Sequence, residues 1–145
     1  MTRFAEGTSV SADRSRAEIE QTLKRYGADA FSYAYEPGRA VVAFRAHNRY
    51  VKLEVPLPNT DDPEVKLTPS GLTRSRAQRE TALAAEERRR WRATALIVKA
   101  KLEAVASGVM TFDQEFGAFI VLPDGSTVGE WLSPQIEEAY ESGDT

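Results

Sequence analysis

Trp91, Ala95, Val98, Leu102 and Val105 follow one another at spacings of four, three, four and three residues. An α-helix turns about 100° per residue, so this spacing stacks all five on one stripe. The stripe commits the segment from about Arg76 to Ser107 to a single long helix, with Gly108 as its stop. Such a seam is buried only against a second layer, and the residues ahead of it read as a sheet.

Phe31, Tyr33 and Tyr35 alternate with Ser32 and Ala34, and Glu36-Pro37-Gly38-Arg39 reads as a turn. A second run, Ala40–Ala46, ends at His47-Asn48, where Asn tolerates positive φ in a tight hairpin. A third run alternates Val51, Leu53 and Val55 against Tyr50, Lys52 and Glu54, until Pro56 and Pro58 stop it. Short turns between consecutive runs imply an antiparallel meander. Its core face is expected to hold Phe31, Tyr33, Tyr35, Val42, Phe44, Val51, Leu53 and Val55. Val41, Ala43, Arg45, His47, Tyr50, Lys52 and Glu54 belong to the other face. Upstream, Ser15-Arg16-Ala17-Glu18 has the form of a capping box, and Ile19, Leu23 and Tyr26 continue it as a helix over about 16–26. Residues 57–72 read as a polar connecting loop. Further on, Thr111 opens a short helix and Ser133-Pro134 opens a closing helix through Tyr140. The expectation is an α+β fold: a flexible stretch over 1–14, then one domain over 15–145.

At 145 residues the chain suits a single domain that needs no covalent staples. Cysteine is absent and His47 is the one histidine, which excludes disulfides, thiolate chemistry and any mechanism needing two imidazoles. No specific catalytic constellation, metal site or cofactor site is evident, so a non-enzyme is expected. With no apolar leader and no apolar run approaching the roughly 20 residues of a membrane span, a cytoplasmic protein without membrane contact is expected.

The net charge of −3 conceals a segregation. Residues 1–70 are balanced, residues 71–107 carry nine basic and four acidic side chains, and residues 108–145 carry eight carboxylates and no Lys or Arg. Arg is used at positions 74, 76, 79, 88, 89, 90 and 92, and a guanidinium fork matches phosphate geometry. On the helix wheel Arg88, Arg92 and Lys99 flank one side of the seam. On the outer sheet face Arg45, Tyr50 and Lys52 form a basic, aromatic platform. The leading expectation is therefore a single-stranded DNA-binding protein: Arg45, Lys52, Arg88, Arg92 and Lys99 meet phosphates, and Tyr50 stacks on a base. The plainer reading of the same run is a solvated helix face held by pairs such as Glu86–Arg90. A different class of function uses the acidic C-terminal third as a protein-interaction surface that recruits replication or recombination proteins, or that mimics DNA. A third reading takes Glu64-Val65-Lys66 as the Glu-x-Lys step of a metal-dependent nuclease.

The wording RYGADAFSYAYE, RWRATALIVKAKLEAV and LPDGSTVGEWL resembles a family of short proteins encoded by bacteriophages and prophages, over about Arg25 to Tyr140. The order of a short helix, three strands and a long helix is also similar to the core of phage single-strand annealing proteins. Together these resemblances imply recombination, replication or interference with host defence as context, single-stranded DNA as ligand, a homo-oligomer as the assembled state, and a host or phage replication protein, or an inhibited host factor, as partner of the acidic C-terminal region.

Overall fold

The computed structural model describes Ala5 and residues 7–143. The chain runs α1 (Ala12–Arg25), β1 (Ala30–Glu36), β2 (Arg39–Ala46), β3 (Arg49–Pro56), α2 (Pro63–Lys66), α3 (Arg76–Ala106), α4 (Phe112–Phe116), a 3-10 turn (Gly117–Phe119) and α5 (Val128–Ser142). The α+β class and the antiparallel meander stand as expected, with strands in the order β1-β2-β3. None of the described helices is long and apolar enough to cross a membrane.

The register lines up Phe31, Phe44 and Val51 in one row across the sheet, and Tyr33, Val42 and Leu53 in another. Side chains of β2 and β3 alternate in and out, so Ala40, Val42, Phe44, Ala46, Val51, Leu53 and Val55 enter one core. The helices α1 and α3 pack on each other, and the α3 seam of Trp91, Ala95, Val98 and Leu102 joins that core, with Val105 packed at its margin. Ser75 starts α3 with a full capping box, its Oγ accepting the Gln78 N–H while its own N–H donates to the Gln78 side chain. Gly108, at φ 80°, ends the run in the left-handed region. The helix is about 46 Å long. No residue of its first ten, 76–85, is buried.

β1 departs from the expected core face. Phe31 is half-buried, and Tyr33 and Tyr35 are 47% and 51% exposed. β1 is the free edge of the sheet, because Ile120 pairs with Val51 on the far side of β3, where the Val121 N–H donates to the Tyr50 carbonyl at 2.8 Å. At that edge the rings form a chain, Phe31–Tyr33–Tyr35–Trp91, with centroids 6.0, 6.2 and 6.3 Å apart. The Arg16 guanidinium lies over Trp91 at 5.0 Å and over both tyrosines. An arginine roof thus takes the place of an apolar one.

Three other boundaries differ. Helix α1 begins at Ala12, inside the stretch expected to be flexible, because Ser11 and not Ser15 is the cap: its Oγ accepts the Arg14 N–H at 3.1 Å. Ser15 extends the buried line of Ile19 and Leu23 inward instead. Residues 1–4 and 6, also in that stretch, lie outside the described residues. The loop over 57–72 contains α2, with Pro63 in its first turn and Val65 fully buried. At the other end, Thr127 caps α5, so Pro134 lies inside the helix and not at its start. Proline has no N–H, so the Glu130 carbonyl loses its helical donor there, on a residue that is exposed.

Candidate interaction surfaces

The arginine-rich stretch is first of all a set of fasteners. Glu86 is 5% exposed and accepts from the Arg89 Nη2 at 2.7 Å and the Arg90 Nε at 3.2 Å. Arg90 also reaches the Pro56 carbonyl at 2.9 Å and the Glu64 carboxylate at 2.8 Å, tying α3 to the end of β3 and to α2. Arg92 pairs with Glu18 of α1. Lys101 bonds the Glu115 carboxylate at 3.2 Å and lies over the rings of Phe116 and Phe119. A guanidinium that must leave its carboxylate to meet a phosphate gains little by the exchange. Among the described residues, Arg88 and Lys99 are the α3 positions of the expected DNA site with no carboxylate within 4 Å.

The six residues expected to bind DNA fall on two surfaces. Arg45 and Tyr50 are cross-strand partners on the outer sheet face, with Lys52 next along β3. Arg45 forms a bidentate pair with Asp29 at 2.8 and 2.7 Å. That hydrogen bonding holds the Asp29 carboxyl below its usual range and raises Arg45 further. Tyr50 is 60% exposed, and Lys52 borders a hollow with Glu54, Phe119 and Glu130. The α3 cations lie across the sheet, on the side of the core. There Arg92 and Lys99 meet Arg25, Gln21 and Thr22 in a groove of about 280 Å³ between α1 and α3, and Arg88 precedes Arg92 by one turn. Nothing in the α1 sequence marks Arg25; the packing of α1 on α3 puts it there.

His47 is a turn residue at φ 52°, its ring stacked on Phe112 at 4.6 Å and 22°. Glu64, the ligand of the nuclease reading, has its carboxylate on Arg90. Among the described residues no three His, Cys, Asp or Glu side chains gather as a metal site.

The surface that sequence reasoning described only by its charge is α5. None of its residues is buried; Trp131, Leu132, Ile136 and Tyr140 are 58%, 37%, 47% and 86% exposed. At 100° per residue Val128, Trp131, Leu132, Ile136, Ala139 and Tyr140 share one half of the wheel, and Glu130, Glu137, Glu138 and Glu141 share the other. The helix is attached at its start. Thr127 is buried, and Gly129 lies so close to Ala118 that a Cβ there would meet the Ala118 carbonyl at 2.9 Å. Its last turn holds carboxylate and no cation, against the negative end of the helix dipole. The spacing of Trp131, Ile136 and Tyr140 was visible in the sequence, but a helix begun at Pro134 cuts Trp131 from the stripe. No protein-family model, no curated protein and no solved structure matches the chain.

Proposed function

We propose that this protein is a non-catalytic interaction module that binds a protein partner through the apolar face of α5. One observation carries the reading: a fifteen-residue helix keeps four large apolar side chains in water while burying none. Contiguous exposed apolar surface of this kind marks docking sites, and an amphipathic helix is recognised by a groove that takes its i, i+4 anchors. The four glutamates of α5, of which Glu141 lies in a last turn without a cation, call for a groove with a cationic rim. Replacing Trp131 and Ile136 together by Ser tests it. The double variant keeps the wild-type unfolding midpoint and loses partners that wild type retains on a column; retention of the same partners by the variant refutes the reading.

A second reading, single-stranded nucleic acid along the α1–α3 groove, is favoured by Arg25, Arg92 and Lys99 lining one polar cleft with Arg88 beside it. Each phosphate neutralised on a single strand adds about −0.7 to the slope of log affinity on log salt. Oligonucleotide titration at several salt concentrations measures that slope. Replacing Arg25 and Lys99 by Ala is expected to reduce it by about 1.4; an unchanged slope removes this groove as the binding surface.

A further inference from the structure

We infer that the partner of α5 is a second copy of this chain: α5 of one molecule docks in the groove beside the exposed start of α3 in the next. The inference rests on α5 being the recognition element. The groove, about 510 Å³, has a floor of Ala77, Thr81, Ala82 and Ala85, with Thr68 and Arg74 in its wall. Ala82, Ala85 and Arg74 also line an adjoining hollow with Arg88, Arg89 and the arginine-paired carboxylates of Glu64 and Glu86. Arg76 and Arg79 share a third hollow with Arg74. This is the chemistry that α5 lacks: small side chains that admit Trp131 and Ile136, and cations within reach of Glu137, Glu138 and Glu141.

Charge carries the match. The helix α5 has four carboxylates and no cation, whereas residues 74–79 have three arginines and no carboxylate. The nearby Glu80 is paired with Arg76 at 3.6 Å, and Glu64 with Arg90. Within one chain the two surfaces are not in contact: Trp131, Ile136 and Tyr140 stay 58%, 47% and 86% exposed. The start of α5 sits on Ala118, next to Phe119 and Lys101, while the groove begins at Ala77 and ends at Ala85. Along the α3 axis that is a separation of roughly 24–36 Å, more than the roughly 22 Å length of α5. Donor and acceptor surfaces lie on different parts of the molecule, so the contact either repeats head to tail or closes by reciprocal exchange, each α5 in the other's groove.

Sedimentation of the full-length protein over a range of concentrations tests this, with Ile136→Ser removing the helix anchor and Ala85→Glu placing a carboxylate in the groove. Both positions are exposed, so both variants keep the fold, which circular dichroism checks. Wild type is expected to rise at high concentration to at least twice the monomer mass, and to fall back as salt screens the arginine–glutamate contacts. Each variant alone stays a monomer. Mixed in equal amounts they form one dimer and nothing larger, because only one intact groove and one intact helix face remain. A wild type that stays monomeric at every concentration overturns the self-docking and leaves α5 as a surface for another protein. Ile136→Ser alone assembling as well as wild type overturns the self-docking, since the contact then lies elsewhere. Assembly lost in Ile136→Ser but kept in Ala85→Glu overturns the groove.

Discussion

Glu86 shows how the cationic stretch is used. Its carboxylate is buried and bonded to Arg89 and Arg90, and Arg90 extends the network to Glu64 and the Pro56 carbonyl. Removing one member of a buried ionic group leaves the others desolvated without a counter-charge, a loss of about 3–5 kcal/mol. Arg89 and Arg90 retain some contact with water at 19% and 17% side-chain exposure, so Glu86→Ala belongs near the lower end of that range, about 3 kcal/mol. Urea unfolding reads this directly. A loss below about 1 kcal/mol places Glu86 among ordinary surface pairs and reopens its arginines to ligand binding.

At the scale of elements, Gly129 decides how α5 is held. Gly→Ala inside a helix ordinarily stabilises by about 1 kcal/mol. Here the new Cβ meets the Ala118 carbonyl at 2.9 Å and the Ala118 Cβ at 3.3 Å, contacts with backbone and a short side chain that cannot swing away. The clash wins, and Gly129→Ala is expected to destabilise by about 1–3 kcal/mol or to release α5 from the 3-10 turn. A higher unfolding midpoint refutes the close packing. The elements legible in the sequence were those whose signal is local. The α3 seam from Trp91 to Leu102 and the Thr111–Gln114 cap of α4 need only spacing and a capping residue, and both stand. The misses are tertiary. Ser11 and Ser15 cap equally well on paper, and burial against α3 decides between them. The half-exposure of Tyr33 and Tyr35 follows from β1 being an edge, and α5 looks unfinished only when no element is found to cover it. In the expected DNA site the cationic residue types suit phosphate, but the sheet divides them and Asp29 and Glu18 occupy two of them.

The whole molecule is a core with two projecting arms of opposite charge. Apart from Val65 of α2 and Thr127, the buried residues lie in α1, the sheet, residues 86–102 of α3 and α4, whereas the start of α3 and all of α5 contain none. Burial sets the free energy needed to expose a backbone amide, so the two arms open locally while the core opens only with global unfolding. Hydrogen exchange is therefore expected to be slowest in β2, β3 and the middle of α3, and faster by orders of magnitude in residues 76–85 and in α5. Docking couples the arms: each molecule covers its neighbour's α3 start with its own α5. Raising the protein concentration should slow exchange in both arms together and leave the free edge β1 unchanged. Slowing in α5 without slowing in 76–85 separates the helix from this groove. Slowing in β1 moves the contact to the sheet edge, where an unpaired strand is the competing template for a second copy.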